Sequence, residues 1–390
     1  MNEFNLEQIN QWVLKKHHLL EDSKINDIVQ VTEDICGLHA TGTKEPYLTL
    51  FARLSRFKKE DLDKELYINK TLGRIRGMRK TLFIQTKKMI PIIYSTTKHL
   101  IEKLFEKYLN IRDISSEDYK KLSKEILNLL NQKEMSTSEI KKTLSSQKDI
   151  RAIISVMCDE MVLIRTNPIK SWKDRRIRYA PFRDYFPEIN INRYDEEEAL
   201  KILVKKYLHS YGPSTEKDIV WWTGIYKSKI RRVLDQFRDE IATIKISPLN
   251  HEFLILQTDI EKLNNLTLTQ NNTITFLPQL DPYLMGYKDR ERYIEINNYE
   301  FVFDRSGNIT SAILLDGRII GVWDVTEKPD PMVKVLFFCK IDEYVLDKAY
   351  KEAYRIGEFI MEKEVQLKEC KQMIPLTKRT AGGFMTPLKD

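Results

Sequence analysis

The chain has 390 residues, 42% hydrophobic and 31% charged, with a formal net charge of +7 from 64 Lys+Arg against 57 Asp+Glu. That length accommodates roughly two to four domains of about 100–200 residues, and the mild basic excess permits a polyanionic partner without demanding one. No run reaches the ~18 uninterrupted apolar residues of a membrane span, and the acidic, amphipathic N-terminus "MNEFNLEQINQWVLKK" is unlike a signal peptide, so membrane-embedded and secreted classes are excluded and a cytoplasmic protein is expected.

The first ~190 residues read mostly as helices. Apolar positions recur at helical spacing over 5–19 and 26–36, and a further helix is expected over 59–68. "GMRKTLFIQT" then switches to a strand-like period, as a hairpin would, before helices at about 87–109 and 116–131. In "MSTSEIKKTLSSQKDIRAIISVMCDEMVLIRTN", Ser136 or Thr137 can cap a helix whose first turn carries Glu139. A Ser/Gln turn leads to a second helix, and "VLIRTN" and "RIRYAPF" follow as strands around the basic loop "PIKSWKDRR". Helix, turn, helix, strand, loop, strand is the order of a winged helix.

The order returns in "YGPSTEKDIVWWTGIYKSKIRRVLDQFRDEIATIKIS", with a cap at Ser214 or Thr215, a Thr-Gly turn, and strands "IATIKIS" and "EFLILQT". Two such units behind a less regular one suggest tandem winged helices. From about residue 272 the chain turns β-rich: "TITFLP", "RYIEIN", "YEFVFD", "ITSAILLDGRIIGVWD" and "VKVLFFCKI" read as strands, with a DG hairpin turn at 316–317. An amphipathic helix over about 345–367 precedes a loosely held tail, "LTKRTAGGFMTPLKD". The expected fold class is thus α+β.

Cys36, Cys158, Cys339 and Cys370 lie far apart and form no metal-ligand cluster, which points to reduced, buried thiols. Neither GxxxxGK[ST] nor GxGxxG, HExxH or GxSxG occurs, so no nucleotide cofactor and no metal is expected. Base density without acid is highest at Arg74, Arg76, Arg79 and Lys80, which can hold phosphates. The loop with Lys173, Arg175 and Arg176, and the helix with Lys229, Arg231 and Arg232, either do the same or are solvated faces balanced by nearby acids. Trp221 and Trp222 are expected in a core. Asp281, Asp289 and Glu291 form a carboxylate cluster or a salt-bridged loop. The lone His39, two residues before Thr41, is by spacing alone a hydrogen-bonded structural histidine as readily as a catalyst.

"GLHATGTKEPYLTLFARL", "TLGRIRGMRKTLFI", "YGPSTEKDIVWWTGI", "LPQLDPYLMGYKDRERY" and "ILLDGRIIGVWD" occur in that order over residues 37–324. In this the chain resembles the bacterial winged-helix DNA glycosylases of the AlkZ and YcaQ type, which remove alkylated purines, crosslinked ones included. The resemblance implies three tandem winged helices over 1–112, 113–192 and 193–268, and a β-barrel-like C-terminal domain over 269–390. It also implies a monomer acting on alkylated double-stranded DNA. The family's catalytic pair, Gln-x-Gln or Gln-x-Asp, falls on His39 and Thr41, so both glutamines are replaced. A neutral imidazole can position or deprotonate water, and a hydroxyl can fix it. Tyr47 then walls the pocket, while Asp281, Tyr283 and Arg290 organise the junction of the β domain with the first unit. No lysine stands beside the pair to form a Schiff base, so a monofunctional hydrolase is expected. The alternative is a winged-helix DNA-binding protein without catalysis, a regulator or a damage sensor.

Overall fold

The computed structural model describes residues 2–131, 133–268 and 272–378, with the backbone of 388–389. Most of the C-terminal tail named above lies outside the described residues. The architecture is mixed α and β.

Local chemistry sets the helix starts. Asn5 caps Leu6–Lys16 by accepting from Gln8 N, and Lys15 and Lys16 in its last turn suit the negative end of the helix dipole. Of the two pairs of candidate caps, Ser136 and Thr215 take the role. Each closes a capping box, with Glu139 for Thr137–Leu144 and Asp218 for Glu216–Thr223. Gly224, at φ +73°, ends the latter. The order helix, turn, helix, hairpin runs through Thr137–Leu144, Ile150–Asp159, Leu163–Pro168 and Ile177–Pro181, and again through Glu216–Thr223, Lys227–Asp235, Ile241–Ser247 and Leu249–Leu256.

The hairpins do not stand alone. Leu72–Arg76 and Leu82–Thr86 form the first, with the short strand Leu38–His39 on its outer edge. Arg74 pairs with Arg165 of the next hairpin, which fuses the two into one six-stranded sheet. The third hairpin gains a strand from the far end of the chain, because Asn2–Asn5 runs parallel to Ile244–Ser247. That strand is not visible in the sequence, since only Phe4 of its four residues is buried and no alternation marks it. One large core joins the N-terminal helix, the third hairpin and the C-terminal loops through Trp12, Tyr207, Tyr211, Trp222, Tyr287 and Phe303.

The C-terminal region departs from the expected barrel. Its sheet is open, in the order Ile274–Leu277, Ala312–Leu315, Arg318–Thr326, Met332–Phe337, Gln366–Glu369. Helix Glu343–Met361 packs Ala349, Ala353, Ile356 and Ile360 into the same core as Phe276, Trp323, Val333 and Val335. A face buried by a helix needs no closure to escape water. The DG turn forms at Asp316 and Gly317, both at positive φ. "RYIEIN" and "YEFVFD" are not strands: they make turns and the short helix Tyr299–Val302, because Tyr287, Tyr293 and Phe303 each bury a ring in one aromatic cluster. Cys36, Cys158 and Cys370 are buried, but Cys339 is exposed. Among the described residues no helix is long and apolar enough to cross a membrane.

Candidate active site

His39 sits on an edge strand because the chain turns sharply at Gly37. A Cβ there, at φ +103°, would come 2.2 Å from Gln85 Nε2, the group that donates to Cys36 O. The strand then pairs Leu38 with Ile84 and His39 with Phe83, and Ala40 N donates to Leu82 O. This aims the imidazole inward, 4.9 Å from the Phe83 ring, with 6% of the residue exposed. Nδ1 is buried and has no hydrogen-bond partner among the described residues. Burial, then the Arg79 cation, pushes the His39 pKa down to about 3, so the ring is neutral at physiological pH.

His39 shares a cavity with Arg79, Phe83, Tyr211, Trp222 and Met285. Its volume is about 20 Å³, room for a water molecule but not for a purine. Arg79 reaches it from the tip of the first hairpin, where Arg79 and Lys80 both take positive φ, 52° and 59°. Its guanidinium lies 4.1 Å from the Trp221 ring centroid and donates to Ser306 O at 3.4 Å. Arg290 stacks on the same indole at 4.8 Å and donates to Gly307 O, and burial lowers its pKa to about 10. Asp304 holds that turn by accepting from Ser306 N and Asn308 N. Three distant stretches of chain therefore meet around Trp221, which is only half-buried, while Trp222 alone is core.

Thr41 does not enter the cavity. Its side chain is exposed on the loop after the strand, so the structure separates it from His39. The loop touches the second hairpin, where Thr43 donates to Lys173 O at 3.4 Å, and Lys44 and Lys173 both approach Glu327. Beneath it lies Glu45, buried and accepting from Gln279 Nε2. Sequence reasoning missed Glu45. The available signal was an acid next to Pro46 at the start of a helix, which reads equally well as a helix-dipole partner.

The other expected site residues fall into three groups. Tyr47 lies in a core, 5.0 Å from Trp172, and donates to Asp63 at 2.6 Å rather than walling the His39 cavity. Asp281 and Tyr283 are wholly internal: Asp281 accepts two hydrogen bonds from Arg53, and Tyr283 donates to Gly317 O. Among the bases, Arg76 pairs with Asp159, Arg176 with Asp174, Lys229 with Glu196, Arg231 with Glu216 and Arg232 with Glu197. Arg74 buries its Nε beside the Tyr47–Asp63 pair, without a hydrogen-bond partner for that atom among the described residues. Lys80 and Arg175 are exposed. Asp289 pairs with Lys217, so no carboxylate cluster forms there. Among the described residues no three His, Cys, Asp or Glu side chains converge as a metal site.

The fold is that of a DNA glycosylase: the structure of the Streptomyces sahachiroi DNA glycosylase AlkZ superposes with a TM-score of 0.76 at 18% identity, covering 95% of this chain and 100% of that one. The AlkZ-like family model, described as DNA glycosylase AlkZ-like, matches residues 32–335, and the chain belongs to that family. It is also 24% identical over 138 residues to a protein named Interstrand DNA cross-link repair glycosylase, from Streptomyces sahachiroi. That stretch is 34% of this chain and 36% of the relative.

Proposed function

We propose that this protein is a monofunctional glycosylase that hydrolyses the N-glycosidic bond of N7- or N3-alkylated purines in double-stranded DNA, crosslinked purines included. It acts as a cytoplasmic monomer, without metal or cofactor. The proposed architecture is three winged-helix units, over 1–112, 113–192 and 193–268, with the domain 269–390 bracing the first and third. The observation that carries the reading is the convergence of His39 and Arg79 on one small cavity, and the resemblance to the family puts the first member of its catalytic pair at His39. An N-alkylated purine is already cationic and leaves without protonation, so the protein has mainly to place a water and tolerate an oxocarbenium-like sugar. A neutral His39 is suited to orienting that water. Arg79, Lys80 and Arg175 are the bases proposed to meet phosphates first, because Arg76, Lys173, Arg176, Lys229, Arg231 and Arg232 already have carboxylate partners. The name of the matched relative supports crosslinks as substrates.

A second reading, a winged-helix DNA-binding protein without catalysis, is favoured by the exposed Thr41 and by the absence of both glutamines. Base release from a duplex carrying one N7-methylguanine separates the two, with His39→Ala run alongside. Release by the wild type and its loss in the variant support the glycosylase. No release from this duplex or from one carrying N3-methyladenine, together with salt-sensitive binding, supports the second reading.

A further inference from the structure

Beside the loop between His39 and the helix Glu45–Phe51 lies a buried carboxylate with one oxygen left without a hydrogen-bond partner among the described residues. Glu45 is 6% exposed. Its Oε1 accepts from Gln279 Nε2, while its Oε2 is buried and takes part in no hydrogen bond among the described residues. Among the described residues no cation pairs with it, because the neighbouring Lys44 turns to Glu327. A buried carboxylate oxygen left without a hydrogen bond is costly and calls for an explanation.

Its position is as informative as its burial. A Cβ on Gly42 would fall 2.1 Å from Glu45 Oε2, so the carboxylate lies directly against the Gly42 backbone. Gly42 follows Thr41, whose side chain faces solvent, so the carboxylate sits one backbone step beneath the surface. On its other side Gln279 precedes Leu280, part of the wall of the His39 cavity. The carboxylate is thus held between the Gly42 backbone and Gln279, the sequence neighbour of a residue that lines the cavity, and only glycine at 42 leaves room for it.

We propose that Glu45 is the carboxylate of the hydrolysis, accepting a proton from the water that attacks C1′ of the damaged nucleotide. This rests on the glycosylase reading above. As the water oxygen bonds to C1′, the bond from C1′ to the purine nitrogen breaks, and its electron pair neutralises the cationic base. The water proton passes to Glu45 Oε2, the oxygen left open by Gln279. The negative charge also offsets the developing positive charge on the sugar. His39, held neutral by burial and Arg79, serves as a positioning residue. Thr41 has no proton affinity to offer. The carboxylate that the pair at 39 and 41 lacks is supplied four residues further along.

The test uses the full-length protein and duplexes carrying one N7-methylguanine or one N3-methyladenine. Glu45→Gln keeps the size and the Gln279 contact but cannot accept the proton. Its release rate is expected to fall at least about a hundredfold, with duplex affinity held. In Glu45→Ala, added formate should restore part of the rate, which a merely structural role would not allow. Unchanged release by Glu45→Gln overturns this inference and leaves the glycosylase reading intact, whereas no release by the wild type from either duplex overturns both. Should Glu45→Gln not fold, Glu45→Asp keeps the charge one methylene further back: a comparable fall in release supports the proposal, and an unchanged rate overturns it.

Discussion

Arg53 and Asp281, 228 residues apart in sequence, form a bidentate ion pair in which neither side chain has any exposed surface. Arg53 Nη1 also donates to Thr49 O, and Asp281 accepts from Tyr283 N, so the pair welds the end of the helix Glu45–Phe51 to the C-terminal region. Removing one partner strands the other charge in the core. Asp281→Ala should therefore cost about 3–5 kcal/mol, read as a lower urea midpoint. Replacing both partners with apolar residues should cost clearly less than the two single changes added together.

The depressed His39 pKa has a definite consequence for stability. Between about pH 3 and 6.5 the unfolded chain holds a proton on His39 that the folded chain does not, so this group favours unfolding as pH falls through that window. Its penalty is absent above about pH 6.5. His39→Gln, which does not titrate, should flatten the fall in stability across that range relative to wild type, measured by denaturant titration at several pH values. The pH–rate profile of base release should likewise show no limb near 6.5.

Arg79 is held by a stack on Trp221 and one long hydrogen bond, with no paired carboxylate among the described residues, whereas Lys229, Arg231 and Arg232 each have an acidic partner. Arg79→Ala should weaken duplex binding and reduce the salt slope of log K by about one. Alanine at Lys229 or Arg232 should change affinity much less, and stability by about 0–1 kcal/mol, since these are surface pairs. Fluorescence-anisotropy titrations over a salt series measure both.

Gly317 closes the DG turn at φ +84°, and a Cβ there would lie 2.7 Å from the Tyr283 hydroxyl. Gly317→Ala combines left-handed strain of about 1–2 kcal/mol with displacement of a buried tyrosine that donates to Gly317 O. The melting temperature should drop by several degrees, while Gly307→Ala, with no contact under 3.7 Å, should show mainly the strain.

The legible parts were those governed by neighbours in sequence. Capping at Ser136 and Thr215, the breaks between paired helices, the basic hairpin tip and the DG turn each depend on a few adjacent residues. The misreadings share a cause. "RYIEIN" alternates like a strand, but Tyr293 and its aromatic neighbours gain more by burying rings against one another than by joining a ladder. Asn2–Asn5 carries no signal because its partner is the edge of Ile241–Ser247, some 240 residues away.

The sequence by itself determined the helical N-terminal half, the two capped helix–turn–helix–hairpin runs and the β-rich end. Only the tertiary structure decided the surroundings of the candidate site residues. It buries His39 against Phe83 beneath Arg79, leaves Thr41 in solvent, neutralises most of the basic helix with Glu196, Glu197 and Glu216, and shuts Glu45 in beside Gln279. Caps and turns follow from contacts a few residues apart. The charge state and reach of a side chain follow from its burial and its charged neighbours, and here those neighbours come from strands and loops hundreds of residues away.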